Sequence, residues 1–206
     1  MILEEEKCIY IHIPKTGGSS IEFAFDQKTQ EHETLEQTKE KIKNSYESYF
    51  SFSIVRNPFD RFVSTYFYLK EKEEAPYVEG MSFDDFVYMA KEWKANYSKS
   101  FVEFKKTRLS FEEYLKTLYL CPQTDWIVRE GSLAINRVIY FDNLNEGFKD
   151  VCKKLKIKKF LPHRNKTNHK NYLHYYNKKT LSIIESVFEK DFIFFDHFKL
   201  RDKIYF

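Results

Sequence analysis

The chain has 206 residues, 32% of them charged and 42% in the hydrophobic set, and a formal net charge of +3. That balance excludes a disordered or low-complexity chain and predicts a single domain over residues 1–206 with a sizeable core. No apolar run approaches the roughly 20 residues that span a bilayer, and MILEEEK lacks the basic start and apolar stretch of a secretory leader, so no transmembrane segment is predicted. The three cysteines (Cys8, Cys121, Cys152) are far apart and fit no disulfide or metal-ligand spacing, which points to a reducing cytoplasm and to no metal site. The charge is uneven. Positions 151–184 carry ten Lys and Arg and no Asp or Glu, leaving the remainder with 24 against 31, a net of −7. A local positive field on a nearly neutral chain suggests an anionic ligand rather than a general coat for nucleic acid, with a solvated lysine face as the plain alternative.

In chain order, Cys8–His12 reads as a buried strand ended by Ile13 and Pro14. Lys15, Thr16, Gly17, Gly18, Ser19 and Ser20 follow, and then Ile21, Phe23, Ala24 and Phe25 at helical spacing predict a helix over 20–26. Strand, glycine turn and helix together form an anion cradle. The glycines let backbone approach a ligand, the first helical N–H groups lack internal partners, and Lys15 and three hydroxyls add donors. The Walker order, with Lys after the glycines, is reversed here. A surface helix is predicted over 35–46 and an aromatic strand over 49–55. Arg56 closes that strand, Pro58 opens a helix, and Phe59, Phe62, Val63 and Tyr66 form its core stripe. A loop over 71–79 leads to a helix from Phe83, capped by Ser82 with Asp85. Positions 91–110 are poorly periodic and read as an insertion over an acceptor cleft, its aromatics (Trp93 to Phe104) assigned mainly to core. A helix over 111–120 stops before Pro122. A third strand, 135–141, is followed by Asp142 and a helix over 145–155. A last helix spans 178–190, and the aromatic tail packs on the core. Three β-α units predict a parallel sheet with helices on both faces and ligands at the strands' carboxyl ends.

With those residues in hand, the chain resembles the sulfotransferases, specifically the carbohydrate branch that includes heparan and chondroitin enzymes and small bacterial relatives. The resemblance rests on PKTGGSS at Pro14–Ser20 and on Arg-x-Pro-x-x-Arg-x-x-Ser-x-Tyr from Arg56 to Tyr66, and extends less specifically over 8–195. It implies an α/β, P-loop-like, three-layer α/β/α fold with a central parallel sheet. The implied cofactor is 3′-phosphoadenosine 5′-phosphosulfate (PAPS), leaving 3′,5′-adenosine bisphosphate as product, with no metal required. Lys15, Thr16, Gly17, Gly18, Ser19 and Ser20 would bind its 5′-phosphosulfate. Arg56 and Ser64 would bind its 3′-phosphate, a role suited to a guanidinium fork and a hydroxyl. Arg61 matches the motif too, with a structural salt bridge below the site as its other role. The segment 161–167 resembles a loop that folds over the nucleotide and brings Lys166 to it. Asp142 stands where relatives more often have Glu. Animal relatives carry a membrane anchor; this chain reads as a soluble, cytoplasmic bacterial-type form, peripheral at a membrane at most, or as a trimmed piece.

Sulfuryl transfer through a loose in-line transition state needs positive charge at the leaving phosphate and a base for the acceptor hydroxyl. The first is assigned to Lys15. For the second, bacterial relatives carry a His near the position of His32, which makes His32 the favoured base; His163 is next, and His12 reads as a hydrogen-bonded core residue. The acceptor is read as a sugar or another hydroxyl compound, with no nucleic-acid partner expected, and the sequence is silent on oligomeric state. Two rivals stay open: a P-loop kinase or NTPase in which Asp142 holds Mg²⁺, and a non-catalytic module that binds anionic glycan or nucleic acid through the basic segment.

Overall fold

The computed structural model describes residues 1–29, 31–97, 110–162 and 170–195. Among them the strands in chain order are Ile2–Leu3 (β1), Cys8–Ile11 (β2), Phe50–Val55 (β3), Val128–Arg129 (β4), Ser132–Leu133 (β5) and Arg137–Tyr140 (β6). The main sheet has the order β1-β2-β3-β6, and β4 and β5 form a separate antiparallel hairpin. β2, β3 and β6 run parallel, with Ile11 opposite Ser53 and Val55 opposite Tyr140. The sequence reading missed β1, which pairs antiparallel with β2 along the edge. Two residues are too few to show an alternation.

The helices are Gly18–Ala24 (α1), Leu35–Ile42 (α2), Pro58–Lys70 (α3), Phe83–Asn96 (α4), Phe111–Leu120 (α5), Thr124–Ile127 (α6), Leu144–Leu155 (α7), Lys178–Val187 (α8) and Glu189–Phe194 (α9). The period-two alternation of the parallel strands sends side chains into two cores. Cys8, Tyr10, Phe52, Ile54 and Ile139 pack with Ile21 and Phe25 at α1 and with Phe148 and Val151 of α7. Ile9, Ile11 and Val55 point the other way, into a larger core with Phe59, Phe62, Val63, Phe86, Trp126, Ile184 and Phe188. The result is the three-layer α/β/α arrangement around a mainly parallel sheet. Two serines of β3 face the larger core without loss: the Ser53 hydroxyl donates to the Ile11 carbonyl at 2.7 Å, and Ser51 accepts from Tyr46.

Several boundaries moved for identifiable reasons. α2 opens on a capping box (Thr34 with Gln37) but ends at Ile42, because Lys43 adopts φ 47° and starts a 3₁₀ stretch over Lys43–Ser48. α4 has the expected Ser82–Asp85 box yet continues to Asn96, so the poorly periodic segment is helical in its first part. Trp93 stacks on Tyr97 at 4.4 Å and packs against the core. Positions 98–109 lie outside the described residues, so the rest of that reading has no structural counterpart. The single last helix is two. Phe188 leaves helical geometry between α8 and α9, and this brings the Asp191 carboxylate to Gln123 and Thr124. Asp191 is fully buried and accepts from both backbone amides, the Gln123 side chain and the Thr124 hydroxyl. α6 and the hairpin after it were not anticipated; four-residue and two-residue elements carry no periodic signal.

The register places the exits of β2, β3 and β6 at one end of the sheet. Pro14–Ser20 leaves β2 there, Arg56 leaves β3, and Phe141–Asn143 leaves β6 as a 3₁₀ turn.

Candidate active site

A cleft of about 890 Å³ opens at that end, and Lys15, Gly17, Gly18, Ser19, Ser20, Arg56 and Ser64 all line it. The loop's shape depends on its two glycines. Gly17 sits at φ 92°, a left-handed conformation that suits Gly, and a Cβ there would fall 2.9 Å from the Phe141 ring. A Cβ on Gly18 would fall 1.8 Å from His12 Nε2. Lys15 also adopts a left-handed φ of 66°. Its ammonium lies 3.8 Å from the centre of the Tyr68 ring, a cation–π contact. Burial, and then repulsion from Arg56, lower the Lys15 ammonium to about 8.

Thr16 differs from its neighbours. It is fully buried, its hydroxyl donates to the Ile13 carbonyl at 2.8 Å, and it is not part of the cleft wall. Its side chain shapes the loop rather than facing a ligand. The hydroxyls of Ser19 and Ser20 belong to residues on the wall.

Arg56 lies across the cleft floor and joins the two motifs. It donates through Nε and Nη2 to the two carboxylate oxygens of Asp60, at 2.7 and 2.9 Å, and through Nη1 to the Lys15 carbonyl at 3.1 Å. Gln123 grips its backbone on both sides, accepting from the Arg56 N–H and donating to the Arg56 carbonyl, each at 2.8 Å. The Phe141 ring covers the guanidinium at 4.4 Å. Three of the five guanidinium N–H groups are engaged by these contacts, and two remain. One turn beyond Asp60, Ser64 is 2% exposed, and among the described residues no hydrogen bond engages its hydroxyl.

Arg61 of the same motif has the structural role, although not as a salt bridge. It is 1% exposed and donates to three carbonyls: Pro14 at 3.1 Å, Cys121 at 2.9 Å and Tyr119 at 3.2 Å. Burial lowers its affinity for a proton. Arg61 thus ties the loop's first residue to the end of α5.

Two histidines complete another part of the wall. His32 Nδ1 is 3.0 Å from the His12 carbonyl. A carbonyl only accepts, so Nδ1 carries the proton, and neutral His32 keeps Nε2 as an acceptor. The His12 ring lies 4.5 Å from the His32 ring. His12 is buried and hydrogen-bonded, as the sequence reading has it, and it also lines the cleft: its Nδ1 is 3.0 Å from the Thr29 hydroxyl and 3.4 Å from Glu22. Burial disfavours the Glu22 carboxylate, but hydrogen bonds from His12 and Thr29 outweigh it and hold the carboxyl at about 2. His163 and Lys166 lie outside the described residues.

Sequence reasoning missed Asp60, Gln123, Tyr68, Glu22 and Phe141. Asp60 had a signal, its i+4 spacing from Arg56. Tyr68 stands one turn beyond Ser64 on α3. Gln123, Glu22 and Phe141 reach the site only through tertiary packing. The cleft wall also carries carboxylates, Asp142 at the end of the third predicted strand and Glu71 and Glu146, which the sequence reading did not single out. Among the described residues the Phe and Tyr side chains on the wall are Phe67, Tyr68, Tyr119 and Phe141.

Loop backbone, a lysine and an arginine fork line this cleft at the carboxyl ends of parallel strands, the place where α/β proteins of this class bind ligands. The family is more specific. A model described as the sulfotransferase family matches residues 1–199, and the chain belongs to that family. It is therefore a transferase of sulfuryl groups with an acceptor substrate. No curated protein and no solved structure matches the chain. Among the described residues no helix is long and apolar enough to cross a membrane.

Proposed function

We propose that the cleft binds PAPS and that the chain transfers its sulfuryl group to a hydroxyl on a carbohydrate. The observation that carries this reading is the bond from Arg56 Nη1 to the Lys15 carbonyl. It draws two anion-binding motifs, 41 residues apart, onto one ligand-sized space. The residues fit such a donor. Gly17 and Gly18 let the loop pack on Phe141 and His12 where a Cβ would collide, and among the described residues no contact engages two of the Arg56 N–H groups or the Ser64 hydroxyl.

In this reading Arg56 and Ser64 hold the 3′-phosphate, and Lys15 with the amides of Gly17, Gly18 and Ser19 holds the 5′-phosphosulfate, the Ser20 amide being spent on the Gly17 carbonyl. Asp60 and Gln123 keep Arg56 aimed, and Thr16 keeps the loop closed through Ile13. The donor supplies the activated sulfuryl group. Lys15 and the loop amides stabilise charge at the bridging oxygen of the leaving phosphate. His32 Nε2 takes the proton of the acceptor hydroxyl, while the bond from Nδ1 to the His12 carbonyl holds the imidazole in the needed tautomer. Phe67, Tyr68 and Tyr119 offer ring faces on which a sugar stacks. Asp142 on the wall gives the Mg²⁺-dependent kinase reading its one foothold.

Calorimetric titration separates the two. Metal-free binding of 3′,5′-adenosine bisphosphate, with ATP much weaker, is the expected result; binding of ATP alone, and only with Mg²⁺, overturns it. His32→Ala should cut transfer by ~10²–10⁴-fold while bisphosphate affinity stays within a few-fold of wild type. An unchanged rate moves the base to one of the wall carboxylates.

A further inference from the structure

α7 starts at the cleft and runs away from it; after Lys156 the chain turns back, and of Lys156–Pro162 the last two residues, Leu161 and Pro162, line the cleft. The apolar residues of this stretch that can face inward do so: Leu155, Ile157 and Leu161 pack against the core beside α1 and α7. Phe160 does not. It is 73% exposed, the most exposed of the large hydrophobic residues among those described. Around it stand Lys153, Lys154, Lys156, Lys158 and Lys159, with no Asp or Glu from position 151 to 162. Only Lys159 is compensated, by Glu6 at 3.6 Å; the neighbouring acids on α7 are taken, Glu146 by Lys149 and Asp150 by Arg137. Among the described residues no ion pair engages the other four lysines.

We infer that this strip is a docking surface for an anionic lipid bilayer, with the four lysines on the headgroups and the Phe160 ring in the interface. Lysine clusters are drawn to anionic leaflets, and an aromatic ring between them gains by leaving water for the headgroup boundary. A soluble polyanion rewards the lysines and is indifferent to the ring, whereas a bilayer rewards both. Vesicle binding does not rest on the sulfuryl-transfer reading, so the two fail separately.

The test is co-sedimentation of the full chain with vesicles of phosphatidylcholine containing about one-third phosphatidylserine, against phosphatidylcholine alone. The wild type should bind the first and not the second. Phe160→Ser should weaken binding by ~10-fold or more, and the triple variant Lys153→Glu, Lys154→Glu, Lys158→Glu by ~100-fold or more. All four positions are exposed, so thermal midpoints should not change. Phe160→Trp should keep binding and add a tryptophan signal that shifts to the blue on the vesicles. No binding to the anionic vesicles overturns the inference. So does binding unaffected by Phe160→Ser, or retention on a sulfated polysaccharide without any on vesicles, which would make the strip a glycan site.

Discussion

The loop Pro14–Ser20 and the helix turn from Arg56 to Ser64 face the same cleft, but one is made of backbone and the other of side chains. The loop is defined by what is missing: Gly17 and Gly18 have no Cβ because Phe141 and His12 occupy that space. Its cation rests on an aromatic ring, without a carboxylate partner in the described contacts, and its proton is weakly held. The second region is defined by what is present. Arg56 is gripped by Asp60, by the Lys15 carbonyl and through its backbone by Gln123, and Arg61 is sealed under three carbonyls. A backbone cradle loses function when an atom is added, and a side-chain clamp when one is removed. In the proposed reading the charge that responds to the reaction is the loosely held one, and the charge that positions the ligand is the locked one.

Arg61→Ala tests that contrast hardest. It leaves three buried carbonyls without donors, at roughly 1–3 kcal/mol each, against a total stability of about 5–15 kcal/mol for a typical domain. Little folded protein should remain by circular dichroism, and wild-type melting would remove Arg61 from the frame. Lys15→Ala is the opposite case. The fold should persist, since the group it removes is held uncomfortably, while transfer falls by ~10²–10³-fold; full activity would take the leaving-group role from Lys15. Arg56→Lys keeps the charge but not the fork and should weaken bisphosphate binding by ~10–100-fold, the worth of a charge-assisted hydrogen bond. Equal affinity would mean that geometry at this position is unimportant.

The smallest effect is one of pH. Lys15 titrates at about 8 in the free protein, against 10.5 for the ordinary side chain, and a bound phosphate would raise it again. Binding then takes up a proton above pH 8. Affinity for the bisphosphate should be flat below that pH and fall about tenfold per unit above it, and Lys15→Ala should flatten the profile. The free fold moves the other way: between 8 and 10.5 the unfolded chain holds the extra proton, so this residue's contribution to stability rises with pH across that window.

Much of the cleft lining was legible because its requirements are local. A strand, two glycines and a lysine in a row describe a loop whose atoms are neighbours in sequence, and Arg56 at a strand end with Ser64 two turns on describes one helix face. Yet local reasoning could not show that the Thr16 hydroxyl donates to Ile13, or that His12, buried and hydrogen-bonded as read, also borders the cleft beside His32. Whether a polar side chain faces the ligand or the frame is a matter of rotamer and packing, which a pattern does not encode.

The sequence by itself determined the fold class, the order of the strand ends and the pair of motifs, because hydrophobic period and glycine position act within a few residues along the chain. Tertiary structure alone decided that Arg56 is held by Gln123, that Arg61 clamps carbonyls from α5, that Asp191 breaks the last helix to reach Gln123 and Thr124, and that Phe160 is left outside. Each of these is a choice among distant partners for a buried polar group or an apolar ring. Such choices are settled only when the layers close and every buried donor must find its acceptor.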